Sequence, residues 1–170
     1  QLTNLMDGVA SNKKQTKMLD VITIKGSDDM AIQLASCCHP IPGDPILGYI
    51  NKEKGLVIHT HDCQIVNELS LDHDRWVDVE WEPDSEKLFN VRLSVLVVNE
   101  RGMLGKIASV IADAESNIDN VSIQDMDGSP FATLNFLVQV RHRQHLAELI
   151  RNLRKISKVN KITRVKNYKN

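Results

Sequence analysis

Apolar and polar residues alternate most regularly in the second half of the chain. The segment VRLSVLVV (91–98) repeats with a period of two, which predicts a strand. After the turn NERG, the segment MLGKIASVIADAES has apolar residues at helical spacing. This spacing predicts a helix whose inward face carries Leu104, Ile107, Ile111 and Ala114.

Two further strands, a second helix and a last strand complete this half. NIDNVSIQDM and FATLNFLVQV are predicted as strands that a hairpin turn at Asp127-Gly128 joins. HLAELIRNLRKI is predicted as a helix, and VNKITRV as the last strand. The apolar face of the second helix carries Leu146, Leu149, Ile150 and Leu153. The order β-α-β-β-α-β predicts a ferredoxin-like sandwich of four antiparallel strands with two helices on one face.

Shorter alternating segments fill the first half. DVITIK, MAIQLA, ILGYI, GLVIH and RWVDVEW predict short strands, and DCQIVNEL predicts one helix that Asp62 caps through its carboxylate. The predicted organisation is an N-terminal extension (1–19) that can be disordered, a small β-rich domain (20–82), a linker (83–90) and the ferredoxin-like domain (91–170). The fold class is α+β.

Composition narrows the class of protein. The 170 residues are 42% hydrophobic and 25% charged, as in soluble globular proteins. No apolar run approaches the roughly 20 residues of a membrane-spanning helix, and the N-terminus lacks a secretory pattern, so we expect a cytoplasmic protein without a membrane partner. Three cysteines, an odd number, favour reduced thiols over a disulfide framework.

Charge is unevenly distributed along the chain. Residues 68–87 contain eight acidic side chains against two basic ones, and residues 141–170 contain ten basic side chains against one acidic. Two solvated faces explain this plainly; a basic surface for RNA or the ribosome is the alternative. On that alternative, the nucleic-acid-binding residues are Arg151, Arg154 and Lys158.

The stretch SCCHPIPGD contains two adjacent cysteines, and the third cysteine follows in HTHDC. Zinc takes four nitrogen or sulfur ligands tetrahedrally, and a Cys₃His set of this kind would consist of Cys37, Cys38, His59 and Cys63. Adjacent cysteines can share a metal only if the backbone turns between them, and the prolines and glycine that follow favour a turn. Three neighbouring side chains compete as ligands: His39, His61 and Asp62. Buried thiols without metal are the plain alternative, and a strained vicinal disulfide is a third.

Other chemistry has less support. The pairs His61-Asp62 and His73-Asp74 lack the further ligands of a metal-dependent hydrolase, no third group orients Cys63 as a nucleophile, and no phosphate-binding glycine loop is present. We therefore expect no catalytic residues in this chain. Gly102 at the strand-to-helix turn either makes a tight turn or leaves the amides of Met103 and Leu104 open to a carboxylate.

Two motifs resemble known families. VNERGMLGKIASVIADAESNI resembles the opening of an ACT domain, a regulatory module that often binds amino acids across a dimer. CCHPIPGDPILGYI followed by KGLVIHTHDC is similar to the zinc-finger (RIS) domain of RelA/SpoT enzymes, which make and hydrolyse (p)ppGpp in the stringent response. The resemblance covers about Asp20 to the end and favours the bifunctional SpoT branch over the synthetase-only RelA branch.

The resemblance implies a regulatory region that acts on catalytic domains upstream, with the ribosome or a regulatory protein as partner. It implies Zn²⁺ at the four ligands above, with His59 preferred because His59 and Cys63 match the family spacing His-x-x-x-Cys. It also implies a homodimer through the ACT domain, with an amino acid bound near Asn99, Gly102, Met103, Leu104 and Asn117. Arg101 stands where the family often has proline, which loosens this turn.

Overall fold

The computed structural model describes residues 22–24, 31–69, 73–82, 86–125 and 127–167. The predicted extension (1–19) lies outside these residues. We call residues 22–82 the N-terminal unit and residues 86–167 the C-terminal unit.

The described residues of the N-terminal unit form six short strands and one α-helix. Strands β2, β4, β3 and β5 form a sheet in that order, with β2 parallel to β4 and the other pairs antiparallel, and β1 pairs with β6 in a separate ribbon. The segment predicted as one strand, RWVDVEW, is therefore two strands that join different sheets. The elements are β1 (Ile22–Ile24), β2 (Ile32–Leu34), β3 (Ile46–Asn51), β4 (Gly55–Thr60), α1 (Gln64–Glu68), a 3₁₀ turn (His73–Arg75), β5 (Trp76–Val77) and β6 (Val79–Trp81).

The C-terminal unit has the predicted order β-α-β-β-α-β. Its sheet runs β10-β7-β9-β8 with every neighbouring pair antiparallel, which confirms the ferredoxin-like topology. The elements are β7 (Phe89–Val98), α2 (Met103–Asp113), β8 (Asn117–Asp125), β9 (Phe131–Val140), α3 (Arg143–Arg154) and β10 (Val159–Val165).

Alternation in β7 and β9 buries every second side chain against the two helices, which together form the core of the C-terminal unit. On α3 the predicted Leu146, Leu149 and Leu153 are buried and Ile150 is partly buried. On α2 the prediction for Leu104 was wrong. Its side chain is 38% exposed, and the buried face consists of Met103, Ile107 and Ile111.

Two local details explain where helices begin. Gly102 adopts a left-handed conformation (φ 85°) directly before α2, a conformation that glycine tolerates best, and the helix starts at Met103. The predicted cap of α1 was wrong: Cys63 is the N-cap and makes no side-chain cap bond, while Asp62 accepts a hydrogen bond from Lys166 Nζ at 2.9 Å. Opposite charge therefore draws Asp62 toward the C-terminal unit.

The N-terminal unit has two small cores of its own, and one of its residues, Ile41, belongs to the larger core of the C-terminal unit. Among the described helices, even α3 with its 12 residues falls short of the length and apolarity that crossing a membrane requires.

Candidate metal centre

Four side chains of the N-terminal unit converge on one point. The Sγ atom of Cys37 lies 3.5 Å from Cys63 Sγ and 3.4 Å from His59 Nδ1. The Sγ atom of Cys38 lies 3.9 Å from Cys37 Sγ and 3.9 Å from His59 Nδ1. All four donor atoms lie within 4.8 Å of one another. The structure thus brings together the four side chains predicted as ligands.

Two turns and a strand create this convergence. A turn in which the His39 N–H donates to the Ala35 carbonyl at 3.0 Å carries the adjacent cysteines, and His39 then takes a positive φ of 45°. The turn lets neighbouring side chains point the same way, which a regular strand would prevent. His59 lies near the end of β4, and a second turn, in which the Cys63 N–H donates to the Thr60 carbonyl at 3.1 Å, returns Cys63 to it.

The three competing ligands lie elsewhere. His61 Nε2 is 3.0 Å from the Ile46 carbonyl, and Asp62 pairs with Lys166. Neither these two residues nor His39 belongs to the cluster of four. Within the part of the chain that the structure describes, no other group of three or more such side chains is close enough to hold a metal ion.

Burial favours the neutral form of three of the four donors, Cys37, Cys38 and His59. Burial raises the pKa of Cys37 to about 11, helped by the hydrogen bond and charge of Cys63, and burial likewise raises the pKa of Cys38. Burial lowers the pKa of His59, so its imidazole is neutral and able to ligate. The Thr60 N–H donates to Cys38 Sγ at 3.4 Å, and the Trp76 ring packs edge-on against His59.

The donor set and its spacing fit zinc. With Zn–S bonds of about 2.3 Å, the edges of a tetrahedral site are about 3.8 Å long, and the four contacts above span 3.4–3.9 Å. The three cysteines are free, so no vicinal disulfide is present. Buried thiols alone would explain the burial of Cys38 and Cys63, but not why His59 directs Nδ1 at two of the sulfurs. Zinc bound here would tie the turns to β4.

The residues predicted to bind an amino acid lie at two separate places. Asn99 and Gly102 are exposed at the turn after β7, where Asn99 Nδ2 donates to Asp125 Oδ2 at 3.1 Å. The Met103 N–H donates to the Glu100 carbonyl at 3.3 Å, and the exposed Leu104 adjoins it. Asn117 is not brought to this turn. It starts β8, eight residues from Asp125, and lies roughly 25 Å away along the strand.

The predicted basic residues differ in their surroundings. Arg151 and Arg154 are exposed in the last turn of α3, where positive charge also favours the helix C-terminus. Lys158 instead pairs with Glu100, at 2.5 Å. His61 and Asp62 make separate contacts with Ile46 and Lys166, so they do not act as a pair.

The sequence did not predict which residues join the loop after Cys38 to the C-terminal unit. Asp44 is almost fully buried and accepts two hydrogen bonds from the Arg164 guanidinium. Asp44 stands within the PIPGD motif, but its partner is 120 residues away, and no local pattern in the sequence connects them.

Comparison with known proteins gives two family matches. The model of the RelA/SpoT RIS domain matches residues 22–82, and the model of an ACT domain matches residues 85–164. The four converging side chains fall in the first match, and the ferredoxin-like fold falls in the second.

The chain is also similar in sequence to proteins named as (p)ppGpp synthases, hydrolases or GTP pyrophosphokinases. The chain is 34% identical over 148 residues to the bifunctional (p)ppGpp synthase/hydrolase SpoT of Escherichia coli K12, which is 87% of this chain and 21% of that protein. It is 31% identical over 130 residues to a GTP pyrophosphokinase of Streptomyces coelicolor, 76% of this chain and 15% of that protein. The chain thus spans about a fifth of the length of the first relative and less of the second.

A solved structure is also similar to part of the chain. The crystal structure of the ACT domain from GTP pyrophosphokinase of Chlorobium tepidum covers 46% of this chain and 99% of its own, with 24% identity and a TM-score of 0.40.

Proposed function

Because the chain belongs to the RelA/SpoT family, by a RIS domain and an ACT domain, we propose that it is a zinc-binding regulatory region of a SpoT-type protein. It makes and hydrolyses no (p)ppGpp itself. It acts in the cytoplasm, in the stringent response, by biasing catalytic domains that precede it in the full-length protein. The ribosome or a regulatory protein supplies the signal.

The observation that carries this proposal is the convergence of Cys37, Cys38, His59 and Cys63. Three thiolates and an imidazole hold zinc at a closed site, with no position left open for a substrate or water. Such a centre stabilises a small unit and does no chemistry. The N-terminal unit buries only two small cores, as expected for a short β-rich unit. A metal crosslink compensates for the small apolar area that these cores bury.

Metal analysis of the purified chain tests the zinc centre. We expect about one zinc per chain, and loss of that zinc in Cys37→Ser and in His59→Ala. Ser36→Ala, which changes the exposed residue next to Cys37, is the matched control and should keep its zinc. A wild-type chain that holds no zinc after reconstitution would refute the centre.

Regulation is tested in the full-length protein. We expect the ratio of (p)ppGpp synthesis to hydrolysis to change when this region is removed, and to change in the same direction in Cys37→Ser. The isolated chain should show no turnover above that of a heat-inactivated sample. Turnover by the isolated chain, or an unchanged ratio on its removal, contradicts the proposal.

A specific surface favours a second, compatible role for the C-terminal unit as a dimer that binds an amino acid. Strand β8 lies at the edge of the sheet and presents two exposed apolar residues, Ile123 at 55% and Val121 at 40% exposure. An edge strand with unpaired backbone groups invites another strand. We propose that a second copy adds its own β8 here.

Such pairing would also bring Asn117 to the turn with Asn99 and Gly102, from which it is distant within one chain. If two β8 strands pair antiparallel about a two-fold axis, the start of one strand approaches the end of the other. Asn117 of the partner subunit would then face the turn that carries Asn99 and Gly102. The ligand's carboxylate would lie near the Met103 and Leu104 amides, and its ammonium group near that Asn117.

Sedimentation and calorimetry with valine, isoleucine and serine test this role. We expect a dimer and saturable heat for one of these amino acids at millimolar concentration. Val121→Lys should give a monomer that binds none, because pairing residue 117 with residue 125 places the two copies of residue 121 opposite each other and two like charges would meet. The matched control is Leu88→Lys, an exposed apolar residue outside β8. A monomeric wild-type chain that gives no heat contradicts both parts.

RNA binding through Arg151, Arg154 and Lys158 is the remaining alternative, and the geometry favours it less because Lys158 is paired. Its test is the triple substitution to alanine, which should weaken binding to RNA and flatten its salt dependence. Unchanged binding would leave a solvated basic face.

A further inference from the structure

The loop that follows ligand Cys38 lies against the C-terminal unit. We call residues 39–44 the junction loop. Its Ile41 is fully buried, at 0% exposure, and packs in the core formed by the helices and sheet of the C-terminal unit. The Pro42 carbonyl accepts a hydrogen bond at 2.9 Å from the N–H of Arg143, the first residue of α3. The loop therefore satisfies one of the N–H groups that a helix start leaves unpaired.

A buried ion pair holds the end of the junction loop. The Arg164 guanidinium from β10 donates to both carboxylate oxygens of Asp44, at 2.9 and 2.6 Å, and also to the His39 carbonyl at 3.1 Å. The side chains of Asp44 and Arg164 are 1% and 12% exposed. Asp44 in turn accepts from the Ile41 N–H at 2.9 Å. A bidentate pair fixes both distance and orientation.

The backbone at Gly43 allows this close approach. Gly43 has φ +99°, and a Cβ atom there would lie 3.1 Å from the side chain of Arg143. The Arg143 Nε atom lies 3.7 Å from Asp44 Oδ1, so a second arginine of the C-terminal unit covers the same loop.

The segment around the last ligand, Cys63, also contacts the C-terminal unit. Lys166 donates to the Asp62 carboxylate at 2.9 Å, and Asn167 Oδ1 accepts from the Gln64 N–H at 2.9 Å. Both residues lie just beyond the end of β10. The two segments that carry the cysteines are therefore held by one strand of the C-terminal unit and its extension.

We propose that metal binding at the four ligands and docking of the C-terminal unit onto the two cysteine segments are coupled equilibria. This rests on the zinc centre proposed above. The metal holds the two segments together at their ligand ends, and β10 holds them together a few residues away. Each event pre-orders the segments for the other, so each strengthens the other by the same factor. Loss of zinc loosens the docked C-terminal unit, and displacement of that unit weakens zinc binding.

Zinc affinity of the whole 170-residue chain, measured in competition with a chromophoric chelator, tests the coupling. Arg164→Gln breaks the buried pair and should weaken zinc binding about tenfold, a typical size for coupling between sites. Its matched control is Arg141→Gln, whose partner Glu115 belongs to the C-terminal unit itself. The control should bind zinc as the wild type does.

A milder pair of variants covers the case in which Arg164→Gln fails to fold. Lys166→Ala removes the ion pair with Asp62 across the junction, and Lys158→Ala removes an ion pair within the C-terminal unit. We expect Lys166→Ala to weaken zinc binding about two- to fivefold, as the loss of one partly exposed ion pair would. Lys158→Ala should leave the affinity unchanged.

Hydrogen exchange supplies a readout on the other side of the junction. Removing zinc from the wild-type chain should speed exchange of the Arg143 amide, which is bonded to Pro42, about tenfold or more. Exchange of the Lys106 amide of α2, which donates to the Gly102 carbonyl, should not change.

Equal zinc affinities of Lys166→Ala and Lys158→Ala, or an Arg143 amide whose exchange rate does not change when zinc is removed, would overturn the coupling. Neither result would contradict the zinc centre itself. A wild-type chain that binds no zinc would overturn both.

Discussion

The two units reach a folded state by different means. The C-terminal unit buries alternate residues of two ten-residue strands against two helices, and its core is continuous. The N-terminal unit has strands of two to six residues and two small cores that are separate from each other. Apolar burial grows with the size of a unit, so the smaller one depends on other links. Its links are the contacts of the junction loop and of the Cys63 segment with the C-terminal unit and, on the proposal above, a metal held by the four convergent side chains.

If the four side chains bind zinc as proposed, its removal should produce the largest difference between the units. We expect chelation to lower the free energy of unfolding of the N-terminal unit by more than about 5 kcal/mol, since structural zinc contributes about 10–16 kcal/mol in zinc-finger peptides. Trp76 packs against Tyr49 and His59 of this unit, so its fluorescence reports the unfolding of the unit, whereas Trp81 packs against Phe89 of the other unit. Amide exchange in β7 and β9 reports the other unit and should change far less. Equal losses of unfolding free energy in both units would contradict the view that only the N-terminal unit depends on the metal.

A cavity in the continuous core should come next. Leu149→Ala, at a fully buried position of α3, should lower the free energy of unfolding of the C-terminal unit by about 2–5 kcal/mol. Leu104→Ala, the same change at an exposed position of α2, is the control and should cost less than about 1 kcal/mol. Denaturant titration followed by far-UV circular dichroism measures both. Equal costs would mean that α2 packs with the originally predicted face.

High pH should weaken the metal-free N-terminal unit alone. Burial raises the pKa of Cys37 from 9.0 to about 11 in the folded chain, so the folded state holds this proton more tightly than the unfolded state does. The resulting stability is fully present below about pH 9 and is lost as pH rises to about 11. Tryptophan-detected denaturation across this range measures the loss. Cys37→Ser removes the group and should show a flatter dependence, and an equally steep one would assign the loss to other groups.

The smallest effect concerns an exposed ion pair of the C-terminal unit. Lys158 lowers the pKa of the Glu100 carboxyl through a hydrogen bond and its charge. Lys158→Ala should therefore return that pKa upward to its ordinary range while the melting temperature hardly changes, because exposed pairs contribute little. An NMR titration of Glu100 measures the shift, and Lys161→Ala, also on β10, is the control. A pKa that stays low would assign the shift to another group.

Much of the fold was predictable because it rests on local patterns. Period-two alternation in residues 91–98 and the helical spacing of Leu146, Leu149 and Leu153 predicted strands and helices that the structure confirms. The error at Leu104 concerned one position, because Ile107 and Ile111 are buried as predicted. Helical spacing admits either neighbour in the first turn, and packing against the sheet buried Met103 instead.

The sequence by itself determined the order of elements in the C-terminal unit and the three cysteines of the cluster, because each depends on spacing within a short segment or on a residue type that few positions offer. It left His39, His61 and Asp62 in competition with His59, which the family resemblance favoured and which the structure brings to the cysteines. Only the tertiary structure decided that Asp62 faces Lys166, that Ile41 fills the neighbouring core and that Arg164 neutralises Asp44. These contacts join residues about 100 or more positions apart. Such pairs are selected by the packing of whole elements and by the need to pair a buried charge, and neither requirement leaves a periodic trace in the chain.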